Sequence, residues 1–216
     1  MSTTEDREAA FIGKITAGAT HELRNVLAIV KESAGLIADV VDSSDQLGAK
    51  RADRVSRAVG RIEAQVKRGS ELLTSLNRFA HSLDHAEDEI DLDEAAQQVS
   101  FLCQRVARQG KHQVQAQPGD SGLTVVVNLL RLQMALYTAV ECCLERLPAG
   151  GTLTLRPVRH GDRPSVEYNG ETGEEAFPLA PTEAAAWSRL AAVLENLGAS
   201  VEKVEASQGF RLILSE

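Results

Sequence analysis

The sequence predicts an α+β fold: a helical hairpin that forms a dimeric four-helix bundle, followed by a small α/β sandwich. Three observations carry this expectation. Residues 5–41 hold no proline and space their apolar side chains by three, four and seven, and residues 55–83 repeat that spacing after a turn. From residue 92 onward, helical stretches alternate with short β-prone runs bounded by Gly, Pro and Asp. The charge changes at the same place: residues 1–86 carry 12 basic and 12 acidic side chains, whereas residues 87–216 carry 11 and 19. The expected domains are therefore 1–86, a dimerising hairpin, and 87–216, an α/β unit.

The first helix is read from Ile12, Ile15, Ala19, Leu23, Val26, Val30, Ile37 and Val41. DSSDQLG (42–48) then supplies turn formers and ends in glycine. The second helix is read from Val55, Val59, Ile62, Val66, Leu73, Leu76, Ala80 and Leu83, with one weak step at Gly69–Ser70. A short turn makes the two helices antiparallel neighbours. Two stripes of this length, with only Phe11 and Phe79 as aromatics, are most economically buried by a second hairpin. The plain alternative is a hairpin that packs on its own C-terminal domain. EDEIDL (87–92) reads as an acidic junction. Beyond it the pattern predicts a helix over 92–109, strands over 112–117 and 123–127 around PGDSG, and a helix over 129–147. Strands over 152–158 and 164–168, a helix over 182–197, and strands over 200–205 and 209–215 complete the chain.

At 216 residues the chain can bury a core without disulfides or a metal. Its 43% hydrophobic and 25% charged residues are those of a globular protein. No apolar run approaches the length of a membrane span, and MSTTEDREAA opens polar and acidic, so neither a span nor a secretory leader is expected. Cys103, Cys142 and Cys143 have no metal-site or disulfide spacing, which fits a reducing cytoplasm. A net charge of −8 disfavours nucleic acid as a partner.

The segment that carries chemistry is IGKITAGATHELRNVLAIV, residues 12–30. His21 and Asn25 share a helix face at i and i+4, with Glu22 one step round. A helical histidine is by default a solvated side chain, and a metal would want a better second ligand than Asn25. A nucleophilic role needs an adjacent base, which Glu22 can supply by taking the imidazole proton. His81 and His85, also i and i+4, sit at the end of the second helix and read as an exposed helix end.

Residues 12–30 resemble the phosphoacceptor box of two-component histidine kinases of the nitrogen-regulation type, which reads approximately LGxLAAGVAHEIRNPLAAI. The shared positions are Ile12-Gly13, Ala17-Gly18, His21-Glu22, Arg24-Asn25 and Leu27-Ala28. Val26 stands where that family has proline, so a straighter helix is expected here. The resemblance implies that His21 is the phosphorylated residue, Glu22 its acid–base partner, and Asn25 the residue that orients water in phosphatase reactions.

The second half has the element order of the same family's ATPase domain without its nucleotide contacts. LQMALYTAVECCLERLPAGGTLTL (132–155) is similar to the Mg²⁺-binding helix and following strand in Leu132, Gln133, Leu136 and Gly150-Gly151-Thr152. Tyr137 and Glu141, however, hold the two asparagine positions. In VEYNGETG (166–173), Tyr168 takes the place of the adenine-reading aspartate and Gly170 alone survives. PLAPTEAAAWSRL (178–190) has no glycine where a phosphate-wrapping loop belongs. No cofactor of its own is expected.

A basic run, Lys50, Arg51, Arg54, Arg57, Arg61, Lys67 and Arg68, faces only Asp53 and Glu63 on the second helix. A turn near residue 45 puts His21 level with about residue 70. A solvated face is the plain reading of the run. The resemblance implies instead that a response-regulator receiver domain docks there, with Arg24, Lys50, Arg54, Arg57 and Arg61 steering its acidic site. The expected protein is a dimeric histidine phosphotransferase that passes phosphate between receiver aspartates through His21, the receiver supplying Mg²⁺. Two alternatives stay open: an autophosphorylating kinase with an atypical nucleotide site, and a non-catalytic dimeric adaptor that binds receivers.

Overall fold

The computed structural model describes residues 3–42, 48–82, 86–179 and 185–215, with side chains over 3–41, 51–82, 86–179 and 187–215. The side chain of Lys50, together with Leu83, His85 and residues 181–184, lies outside the described residues. The chain forms two compact units, Gly13–Arg78, and Met1–Ile12 together with Phe79–Glu216.

Helix α1 spans Thr4–Asp42 and α2 spans Gly48–His81. A capping box starts α1: the Thr3 hydroxyl accepts from the Asp6 backbone N–H at 3.1 Å, and the Asp6 carboxylate accepts from the Thr3 N–H at 2.9 Å. These bonds to Thr3 hold the Asp6 carboxyl below its usual value. With valine at position 26, α1 continues unbroken through it. The helices run antiparallel. Arg51 Nη2 donates to the Val41 carbonyl at 2.7 Å near the C-terminus of α1, and Arg68 Nη2 donates to Glu22 Oε2 at 2.5 Å much further along.

The seam between the helices is narrower than the two predicted stripes. On α1, Ile15, Ala19, Val26, Ser33 and Val40 are buried. On α2, Ala58 is buried, and Val55, Ile62, Gln65, Leu72 and Leu76 are half-buried. Val59, Val66 and Leu73, one residue further round, remain 40%, 55% and 56% exposed. A single partner helix covers only a thin stripe, so the outer edge of each predicted band stays open.

The sequence divides at residue 86, but both ends of the helical pair pack into the α/β unit. The Phe11 ring lies edge-on to Phe79 at 5.7 Å and to Tyr137 at 5.4 Å. Glu8 pairs with Arg131 at 2.8 Å, and Arg7 Nη1 donates to the Ala192 carbonyl at 2.9 Å.

The α/β unit contains β1 (Asp88–Asp91), α3 (Leu92–Gln109), β2 (Gln113–Ala116), β3 (Thr124–Val127) and α4 (Leu129–Leu144). It continues with β4 (Thr152–His160), β5 (Arg163–Thr172), β6 (Glu175–Phe177), α5 (Ala185–Leu194), a 3-10 turn (Glu195–Leu197), β7 (Ser200–Val204) and β8 (Gly209–Ile213). The main sheet runs β2-β4-β5-β8-β7, with β6 extending the edge of β5. Strand β2 is parallel to β4, and the other pairs are antiparallel. Alternate residues Leu153 and Leu155, Val166 and Tyr168, and Phe210 and Leu212 point into the core with no exposed surface. They meet Val99 and Cys103 of α3, Leu132, Leu136 and Val140 of α4, and Leu190 of α5, all equally buried.

Two expectations about strands are corrected. The acidic junction is strand β1, which pairs with β3 from Asp88↔Val127 to Asp91↔Thr124. PGDSG does not close a hairpin, because its polar groups are bound to neighbouring elements. Gly119 N–H donates to Asp93 at 2.9 Å, Asp120 N–H donates to the Pro157 carbonyl at 3.2 Å, and the Asp120 carboxylate accepts from Arg159 N–H at 2.8 Å. A Cβ on Gly119 would sit 2.0 Å from the Pro157 oxygen, so only glycine lets this loop lie against β4.

Candidate functional site

His21 lies exposed near the middle of α1. Its neighbour at i+4, Asn25, is also exposed, and the amide nitrogen Nδ2 lies 3.3 Å from His21 Nδ1. With the amide in this orientation, Nδ2 donates to Nδ1 and the ring proton sits on Nε2. Turning the amide over presents its oxygen to an Nδ1–H and frees the Nε2 lone pair. The Asn25 amide is thus placed to pair with either tautomer of His21, a contact that the i, i+4 spacing alone already allows.

Glu22 points into the seam rather than along the exposed face. Its side chain is 12% exposed and forms an ion pair with Arg68 of α2. This partner was hidden within the basic run, although the antiparallel register that levels His21 with residue 70 also brings residue 68 opposite Glu22. Beside the pair, a Cβ on Gly69 would meet Val26 Cγ1 at 3.3 Å. The weak step in the second stripe is thus the place where the two helices come close.

The structure sorts the basic residues. Arg24, Arg54 and Arg61 are exposed. Arg57 is exposed but pairs with Asp53 one turn back on α2. Arg51 caps a carbonyl of α1, and Arg68 belongs to Glu22. Lys50 lies outside the described side chains.

In the α/β unit, Tyr137 and Tyr168 are buried, whereas Glu141 is half-buried. Tyr168 has no exposed surface, its ring stacks on Phe210 at 4.7 Å, and Phe210 meets Trp187 edge-on at 4.9 Å. The Tyr168 hydroxyl donates to the Leu136 carbonyl at 3.4 Å, and burial pushes its phenol pKa well up. Gly170 makes room for Leu179, which a Cβ there would meet at 3.0 Å. The Tyr137 ring packs edge-on against Phe11. The α4 face toward α5 carries Cys142 and Glu145, whose Oε1 accepts from Arg189 Nη2 at 2.5 Å. Burial pushes the Cys142 thiol up to about 11. Among the described residues no group of three His, Cys, Asp or Glu is placed to hold a metal, and no helix is long and apolar enough to cross a membrane.

No protein-family profile matches the chain, and no curated protein does. Several solved structures of histidine kinases, or of parts of them, are similar in fold. Acinetobacter baumannii histidine kinase AdeS is 15% identical, with 90% of this chain and 97% of that one covered, at a TM-score of 0.45. The cytoplasmic segment of histidine kinase QseC is 20% identical over 69% of this chain and 93% of that one, at a TM-score of 0.43. Histidine kinase ThkA, in a complex with response regulator protein TrrA, is 18% identical over 95% of this chain and 61% of that one, at 0.44. The architecture is that of the resemblance: a helical pair followed by an α/β unit with a mixed sheet.

Proposed function

We propose that the protein is a histidine phosphotransferase that moves a phosphoryl group between receiver aspartates through His21, as a homodimer and without a nucleotide of its own. The observation that carries the proposal is the exposed His21 ring, with Asn25 at its Nδ1 and the Glu22–Arg68 pair on the next residue. In the reaction, a ring nitrogen attacks the phosphorus of an aspartyl phosphate. An N–P bond forms, the P–O bond to the aspartate breaks, and the aspartate leaves as carboxylate. The ring proton passes to Glu22, directly or through one water. Receiver-bound Mg²⁺ neutralises the transferring group, so this chain needs positioning more than charge of its own.

Three further features support the reading. Tyr168, which the resemblance aligns with a nucleotide-reading carboxylate, is stacked on Phe210, in keeping with a unit that reads no nucleotide. The exposed heptad Val59, Val66 and Leu73 offers a seam for a second hairpin. Arg24, Arg54 and Arg61, with Arg57 and Lys50 nearby in sequence, present a basic surface to an acidic receiver.

The test is incubation with phosphorylated receivers and with Mg-ATP. Label on His21 that comes from receivers and not from ATP, and that is absent in His21→Gln, supports the proposal. Label from ATP makes the protein a kinase, and receiver binding without label makes it an adaptor.

A further inference from the structure

The seam beneath His21 contains a residue that no motif singled out. Arg68 reaches across from α2 and places Nη2 2.5 Å from Glu22 Oε2. The Glu22 side chain is only 12% exposed and that of Arg68 is 36% exposed, so the carboxylate is largely withdrawn from water while the guanidinium stays partly open to it. A charge-assisted bond in such a setting is stronger and more directional than one on the open surface. The next residue, Gly69, allows the helices to approach closely at Val26, one turn from Glu22. The backbone that carries Arg68 is therefore held at the level of the histidine.

We infer that Arg68 is a positioning residue for phosphotransfer, acting through Glu22; the inference rests on the proposed function. Adjacent residues on a helix do not face one another, so Glu22 has no intrinsic reason to stay beside the His21 ring. A free glutamate would spread over several rotamers, which dilutes the geometry a proton acceptor needs. Tied to Arg68, the carboxylate occupies one place. The pair also keeps the Glu22 charge neutralised when a dianionic phosphoryl group arrives one residue away. Both effects depend on Glu22 being present, and this dependence separates them from a structural role or from receiver docking.

The experiment is single-turnover transfer from a phosphorylated receiver at saturating concentration, with receiver affinity and thermal unfolding measured alongside. The proteins are wild type, Arg68→Gln, Arg68→Lys, Glu22→Gln and the double variant. Positioning is one part of a general-base contribution of roughly 10²–10⁴-fold, so Arg68→Gln is expected to slow transfer by about tenfold. Receiver affinity should change less than about twofold, because Arg68 is committed to Glu22 and not to the docking face. Arg68→Lys keeps the charge without the planar fork and should fall between wild type and Arg68→Gln. In the Glu22→Gln background, Arg68→Gln should cost nothing further. Full additivity of the two substitutions overturns the inference, as does an unchanged rate in Arg68→Gln. If Arg68→Gln does not fold, a fully active Arg68→Lys overturns it. Wild-type protein that never carries label on His21 overturns the underlying reading, and the inference with it.

Discussion

Glutamate at Val66 should dissolve the proposed dimer and leave the hairpin folded. Within one chain, Val59, Val66 and Leu73 of α2 are 40%, 55% and 56% exposed, and Leu27 of α1 is 65% exposed. Fully burying a valine or leucine contributes about 1.5–3 kcal/mol, so each of these positions still has roughly 1 kcal/mol to gain. Four such positions give about 4–5 kcal/mol per protomer, and about twice that across a two-fold interface. Val66→Glu forfeits its own share and adds the cost of an unpaired carboxylate, about 1–3 kcal/mol. Counted on both protomers the loss is about 4–8 kcal/mol, which weakens association about a thousandfold or more. The same substitution sits on the outer face of its own hairpin, so monomer stability should move by under about 0.5 kcal/mol. Ala58→Glu is the contrast. Ala58 is 5% exposed on the inner face, and a carboxylate there should unfold the hairpin rather than separate two of them. Sedimentation velocity from about 1 to about 100 µM, with circular dichroism on the same samples, reads both effects, because a dimer populates by mass action. A wild-type protein that sediments as a monomer throughout refutes the reasoning. So does a Val66→Glu variant that dimerises as well as wild type.

Other outcomes follow from the α/β core. Tyr168→Phe should cost only about 0.5–1 kcal/mol in denaturant unfolding, since its hydroxyl bond to Leu136 is long at 3.4 Å. Tyr168→Asp should cost at least about 3 kcal/mol and should still give no heat with Mg-ATP in calorimetry, because it buries an unpaired carboxylate in a filled core. Gln133 is fully buried, with neither amide atom hydrogen-bonded, so Gln133→Met should stabilise the protein by about 1–3 kcal/mol in the same unfolding assay. The Cys142 thiol is raised from 9.0 to about 11 in the folded state, so the folded protein holds that proton more tightly than the unfolded chain. Its contribution is present below pH 9 and is lost as the pH rises toward 11. Unfolding free energies measured across that window should fall, and Cys142→Ala should flatten the fall.

Long-period features were legible in the sequence, and features made by tertiary partners were not. The two helices, the antiparallel turn and nearly every helix and strand of the second half follow from spacing and punctuation. The capping box at Thr3–Asp6 was open to the same reading, since TTED carries the pattern. Strand β1 was missed because EDEIDL has too few apolar residues to announce a strand, and its partner β3 supplies the ladder. β2 and β3 flank one turn in the sequence, but β2 pairs with a parallel neighbour many residues away, β4. At the candidate site, His21, Glu22 and Asn25 came from a contiguous pattern. The commitment of Glu22 to Arg68 did not, because it depends on which rotamers meet across a seam.

The two units treat polar groups in opposite ways, and the proposed function requires that contrast. In the α/β unit, Tyr168, Phe210 and Trp187 close the core by stacking, which contributes stability through buried aromatic area and ring geometry. A carboxylate at the same position would be tolerable only with a ligand and water to satisfy it. On the hairpin, an exposed histidine adds almost nothing to stability, and the glutamate beside it needs an arginine from the other helix to be held in place. Stability alone would favour apolar residues at these seam positions and any residue on the exposed turn. The Asn25 amide at His21 Nδ1 and the Glu22–Arg68 pair on the next residue are the two contacts that the proposed reaction would use. On the proposed function, the phosphoryl group for that imidazole is brought by another protein. The arginines left exposed on the hairpin are the charges that would attract an acidic donor.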